Sequence, residues 1–148
     1  MPAPTLLKEY RSHISNIYIL RQRINDAGAE LRQIEAERKM RQAPPTAERL
    51  REELAAHLYI IIKDARQQIR REAAACRQAE KVIDSIKDET NREILRLRYT
   101  SGPQPPTWHE IAEVVSYSSR MVQRRHGAAL AGLGMIHTTH TTHTRGKC

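Results

Sequence analysis

Near the end of the chain, Ser118, Ser119, Arg120, Gln123 and Arg124 bring two hydroxyls, two guanidinium groups and a carboxamide within two turns of a helix. The planar donor fork of arginine matches guanine O6 and N7, and the glutamine amide pairs with the N6 and N7 edge of adenine. Hydroxyls and free N–H groups at a helix start suit phosphate oxygens. Gathered on one exposed helix face, these groups could read base-pair edges in double-stranded DNA. Arg98, at the end of a preceding helical segment, is a further candidate for a phosphate contact. The expected DNA-binding residues are therefore Arg98, Ser118, Ser119, Arg120, Gln123 and Arg124.

Other reactive residue types do not assemble into a site in the sequence. His137, His140 and His143 have a spacing that could chelate a transition metal, but they lack a carboxylate partner and a scaffold. His13, His57, His109 and His126 fall in separate helical blocks, and Cys76 lies on an apolar stripe, as a buried thiol does. There is no glycine-rich phosphate loop, zinc-protease motif or nucleophile elbow. Asp84 and Asp88 read as a solvated helix end. No catalysis, cofactor or metal is expected.

The elements that must position the reading face follow from proline and hydrophobic periodicity. Proline clusters at Pro44-Pro45 and at Pro103, Pro105 and Pro106 interrupt helical patterns over about 5–42, 46–99 and 107–133. No stretch alternates apolar and polar residues over strand length, so the chain is expected to be all-α. In the first block Tyr10, Ile14, Ile17, Leu20, Ile24, Ala27, Leu31 and Ile34 form one face. Gln42 to Thr46 reads as a turn with Thr46 as cap of the second block. There the stripe is Leu50, Leu54, Leu58, Ile61, Ala65, Ile69, Ala73, Cys76, Ala79, Ile83 and Ile86. Its spacing falls short of a strict heptad, which leaves an antiparallel hairpin and an intermolecular coiled coil both open.

Asp88 is placed to cap a new helix, and the apolar phase changes between Ile86 and Ile94. The expected organisation is a long-helix hairpin or coiled coil over 1–88, a helix-turn-helix domain over 89–134, and a disordered His/Thr-rich tail over 135–148. In the middle part Asn91–Tyr99 offers Ile94, Leu95 and Tyr99 to a core. Thr107 with Glu110 forms a capping box for a helix whose inner face is Trp108, Ile111, Ala112 and Val115. The turn Ser116-Tyr117-Ser118 is too short for parallel helices, so the next pair must cross steeply over the small Ala112. Ser118 caps the last helix, which turns Val122, Ala129, Leu130 and Leu133 inward. Arg125 sits at the edge of that inner face, as a snorkelling or ion-paired residue, and His126 is expected to be partly packed.

The formal charge is +8, and it is uneven. Lys and Arg number 8 against 5 Asp and Glu over 1–45, 9 against 9 over 46–90, and 8 against 3 over 91–148. A basic excess favours nucleic acid or an anionic membrane. Within the balanced middle block, Arg66 to Arg71 reads as a solvated coiled-coil face, with accessory phosphate contacts and an anionic membrane as the alternatives. No apolar run reaches membrane-span length, no signal-peptide core is present, and two cysteines make no disulfide framework, so an intracellular location without membrane contact is expected.

The residues also carry a family likeness. Ile83-Asp84-Ser85-Ile86-Lys87-Asp88, Arg92-Glu93-Ile94-Leu95-Arg96-Leu97-Arg98-Tyr99, Trp108-His109-Glu110-Ile111-Ala112-Glu113, Tyr117-Ser118, Val122 and His126-Gly127-Ala128-Ala129-Leu130 resemble small phage and prophage proteins of the sigma-70 region 4-like group. These include late-gene activators of the RinA and ArpU type. The resemblance, over about 83–133, implies a phage-encoded transcriptional regulator in the cytoplasm of a bacterial host, whose last helix reads promoter DNA. On it, Ser119, Arg120, Gln123 and Arg124 match contact positions, and Val122, Ala129 and Leu130 match packing positions. Arg125 departs from the pattern, which has an apolar residue there, and the segment 100–106 is longer and richer in proline. The expected partners are double-stranded DNA, RNA polymerase, and a second copy through residues 6–86. A phage small terminase-like packaging protein and a helical protein-docking adaptor are the rival expectations.

Overall fold

The computed structural model describes residues 2–40 and 45–146, with side chains as far as Gly134. The last helix runs through Gly146, over most of the segment expected to be disordered, while the side chains of the 135–148 histidine spacing, like most of the turn expected at Gln42 to Thr46, fall beyond the residues so described. Among the described residues the fold is all-α, with five helices and no strand: α1 (Ala3–Lys39), α2 (Pro45–Asp84), α3 (Glu89–Thr100), α4 (Trp108–Val115) and α5 (Ser119–Gly146). No described helix is long and apolar enough to cross a membrane.

Local chemistry explains the boundaries. Pro45 opens α2, because a missing N–H costs nothing in the first turn of a helix. Thr46 therefore lies inside α2 and is not its cap. The second helical block breaks after Asp84, and α3 restarts where the Asp88 carboxylate accepts from the Asn91 N–H at 2.9 Å. Between α3 and α4, Gly102 takes φ +67°, a left-handed conformation that glycine adopts without a Cβ clash.

The chain divides into two compact units, Ile14–Ala73 and Met1–His13 with Ala74–Cys148. In the first, stretches of α1 and α2 run antiparallel: Asn16 Nδ2 donates to Glu72 Oε1 at 3.2 Å, and Arg38 Nε donates to Glu48 Oε1 at 2.6 Å. Ala27, Ile34 and Leu58 form the buried core, with Leu31, Ile61 and Ile62 against it. Buried and half-buried positions alternate by three and four on both helices: Ile17, Leu20, Ile24, Ala27, Leu31 and Ile34 on α1, and Arg51, Ala55, Leu58, Ile62, Ala65, Ile69 and Glu72 on α2.

This is a heptad seam, and it corrects the stripe read from the sequence. Leu50 is 66% exposed, Leu54 44% and Ile14 46%. The seam instead passes through Arg51 and Glu72, whose polar ends are answered across it, Arg51 Nη2 by Glu37 at 3.0 Å and Glu72 by Asn16.

In the second unit Leu7, Tyr10, Cys76, Ala79 and Ile83 are buried. The Tyr10 hydroxyl donates to Glu80 at 2.9 Å; burial first, then this carboxylate, push its pKa up to about 12, so it stays a donor. Arg11 donates to the Ser101 carbonyl at 2.9 Å and the Gly102 carbonyl at 3.2 Å, tying the proline-rich connection to the start of α1. α3, α4 and α5 pack on one another around Ile94, Ile111, Ala112 and Val122, with Leu97, Trp108 and Val115 closing the edges.

Candidate nucleic-acid interface

The outward face of α5 is set by caps on either side of the short connection before it. At the start of α4 the Thr107 hydroxyl accepts from the Glu110 N–H at 3.1 Å. The Glu110 carboxylate accepts the Thr107 hydroxyl proton at 3.2 Å, so only half of the expected reciprocal box forms. α4 stops at Ser116, which takes φ 63° and ψ 38° and donates its N–H to the Ala112 carbonyl. A left-handed serine costs about 1 kcal/mol or more. Two residues on, Ser118 Oγ accepts from the Met121 N–H at 3.2 Å and starts α5.

The Ser118 hydroxyl oxygen thus serves the helix, leaving its O–H as the group a phosphate could meet. Val122, Ala129 and Leu133 are buried and Leu130 half-buried, which fixes the rotation of α5. Arg120, Gln123 and Arg124 then point to solvent, with Ser119 half-buried beside them. Gly127, Ala128 and Ala131 continue the exposed face with little bulk, so an object lying along it could approach the backbone.

Arg98 stands apart from this group. Its Nη1 donates to the Pro106 carbonyl at 2.7 Å, and its guanidinium carbon lies 4.1 Å from the centroid of Trp108. It fastens the proline-rich connection to the first turn of α4.

Tyr99, Arg125 and His126 carry structural weight that the sequence does not assign to particular partners. His126 Nε2 lies 2.8 Å from the Tyr99 hydroxyl, with its ring stacked on Tyr99 at 5.6 Å and edge-on to Trp108 at 4.8 Å. Burial, and then the Arg98 charge, hold its pKa below the ordinary 6.5. Burial likewise raises the Tyr99 pKa, so a neutral imidazole can accept from a neutral phenol. Arg125 is a clamp: Nη1 donates to Asn91 Oδ1 at 3.2 Å, approaches both Asp88 oxygens at 3.5 Å, and its guanidinium carbon lies 4.9 Å from the Tyr117 ring centroid. It joins the cap of α3, the α4–α5 connection and α5. The Asn91 N–H, with a smaller contribution from Arg125, holds the Asp88 carboxyl below its usual range. The two sequence alternatives for Arg125, snorkelling or an ion pair, merge in this arrangement. Val114, Tyr117 and Met121 are exposed.

Among the described residues, no group of three or more His, Cys, Asp or Glu side chains is placed to hold a metal ion. No family model matches the chain, and neither a curated protein nor a solved structure is significantly similar to it.

Proposed function

We propose that α4, the connection Ser116–Ser118 and α5 act as a helix-turn-helix of the sigma-70 region 4-like kind, that α5 enters the major groove of double-stranded DNA, and that the protein is a phage-encoded, sequence-specific transcriptional regulator. The observation that carries this reading is how the arginines of α3 to α5 are used. Arg92 donates to the Ile86 carbonyl, Arg96 pairs with Asp84 and Glu93, Arg98 holds Pro106 and Trp108, and Arg125 holds Asp88 and Asn91. Arg120 and Arg124, one turn apart on the exposed start of α5, have no intramolecular partner among the described residues.

Of the six arginines of α3 to α5 whose side chains are described, four serve the fold and two are left for a ligand. Their placement at a helix start beside Gln123 suits base-edge readout. In this reading Ser118 and Ser119 meet phosphate, and the antiparallel helices α1 and α2 form the hairpin that presents a surface to RNA polymerase or a second copy. One such domain has a small footprint, so pairing or polymerase supplies the remaining specificity.

The test compares cognate and scrambled duplexes. Arg120→Ala or Gln123→Ala should cost about 1–3 kcal/mol on the cognate duplex if the residue pairs with a base in bidentate fashion, with little change on the scrambled one. Equal losses on both duplexes assign the residue to phosphate contact instead, and no loss on either overturns the reading.

A further inference from the structure

The seam of unit Ile14–Ala73 sorts its charges in a way that the balanced composition conceals. The three-and-four alternation assigns each outer residue to one of two flanks of the antiparallel pair. On one flank, over 18–32 and 56–70, stand Arg21 and Arg32 of α1 with Lys63, Arg66 and Arg70 of α2, and no carboxylate. All five are exposed, and none is in an ion pair or a side-chain hydrogen bond among the described residues. The other flank carries Asp26, Glu30 and Asp64 against Arg23 and, one residue beyond that stretch, Arg71; on the basic flank the nearest carboxylates, Glu35 and Glu52, also lie just outside it. A shallow groove there, lined by Asp26, Glu30, Arg23, Ile19 and Ile61, shows independently that these residues share a side.

Two tyrosines stand among the cations of the basic flank. Tyr18 is 66% exposed and Tyr59 58% exposed. From Tyr59 to Arg70 the stripe runs about 16 Å along α2 at the helical rise. At Gly28 on the same flank of α1, the Arg32 guanidinium lies 3.6 Å from where a Cβ would stand.

We propose that this flank is a second, sequence-independent DNA surface that binds the phosphate backbone of a duplex. Charge complementarity selects the occupant: several unpaired cations in a row on a rigid helix pair match a line of phosphates. An amphipathic membrane surface would need a broad apolar face beside the cations, and apart from the rings of Tyr18 and Tyr59 this flank has none. Here Ile19, Leu54 and Ile61 lie on the acidic flank. The proposal uses residues separate from α5, so either surface can fail without the other.

The test is the salt dependence of binding by the full-length protein to a short duplex of scrambled sequence. Removing one phosphate-binding cation should flatten the slope of log affinity against log salt by about 0.9. Arg21→Gln, Lys63→Gln, Arg66→Gln and Arg70→Gln together should therefore flatten it by up to about 3.6 and weaken binding by the same factor on any sequence. Arg23→Gln on the other flank should leave the slope unchanged, and circular dichroism melting confirms that both variants fold. An unchanged slope in the quadruple variant overturns the proposal, as does wild-type protein that fails to bind scrambled duplex at low salt. Loss of binding to phosphatidylserine vesicles without a change in the duplex slope would overturn it in favour of a membrane. Arg120→Ala with Arg124→Ala should abolish preference for the cognate sequence while the quadruple variant keeps it, which separates failure of the α5 reading from failure of this one.

Discussion

Arg125 offers the sharpest check on how α5 is held. Its guanidinium donates one good hydrogen bond, to Asn91 at 3.2 Å, and stacks over Tyr117 at 4.9 Å, while its two approaches to Asp88 are long and partly exposed. A net hydrogen bond contributes about 0.5–1.5 kcal/mol and an exposed cation–π contact about 0.5–1. The exposed ion pair adds little to either. Arg125→Met keeps the aliphatic stem and should lose about 1–2 kcal/mol of stability by urea denaturation, with an unchanged m-value. Arg125→Ala should lose more, because the stem packing goes as well.

The variant should also change the acid limb. The folded Asp88 pKa lies below its ordinary 3.8, so the unfolded chain binds more protons there. The associated stability is present above 3.8 and is lost as pH falls through the lower folded value. Removing Arg125 raises the folded value toward the ordinary one, so Arg125→Met should show a shallower loss in that window. An unchanged midpoint, or a midpoint lower for Met than for Ala, would refute the clamp. Loss of DNA binding without loss of stability would make Arg125 a DNA contact instead.

His126 has a folded pKa below 6.5, so protons bind preferentially to the unfolded chain; stability is present above 6.5 and lost as pH falls through the folded value. Urea midpoints should fall as the pH drops below about 6.5, and by less in His126→Phe. The heptad seam predicts that Leu58→Ala lowers stability by about 2–5 kcal/mol. By contrast, Leu50→Gln should change it by less than about 0.5, as surface substitutions do, and similar losses for the two would reject the seam. Ser116→Gly should leave thermal stability equal or raise it by up to about 1 kcal/mol, because glycine removes the left-handed Cβ clash; a fall of that size would contradict the role given to its backbone. Ser116→Val, checked in the same melts, should lower it.

What the sequence disclosed and what it concealed divide along the range of the interactions. Asp88, Thr107 and Ser118 were recognisable as caps because each bonds to a backbone N–H three residues away. Val122 and Ala112 were recognisable as core from helical periodicity. The seam of α2 was not, because apolar Leu50 and Leu54 drew the stripe off a line that runs through Arg51, Ala55 and Glu72. Those residues become interior only when α1 lies opposite them. For Arg125 the missing information was distance along the chain: Asp88 and Asn91 lie 37 and 34 residues away. The same reason hid the engagement of His126 with Tyr99. The basic flank of α2 was concealed by arithmetic, since equal numbers of cations and carboxylates over 46–90 say nothing about which side of a helix each occupies. For the exposed start of α5, the side-chain types in the sequence suggested the chemistry, and the structure added that, among the described residues, Arg120 and Arg124 are unengaged while Arg98 is not.

The central claim is sequence-specific recognition of a promoter, and the most direct measurement is a binding selection. Purified full-length protein would be mixed with fragmented DNA of its own source genome near physiological salt, and the bound fragments sequenced. Enrichment upstream of a gene block, abolished in Arg120→Ala with Arg124→Ala, is the predicted result. Enrichment confined to packaging genes, or none above input, would contradict the account.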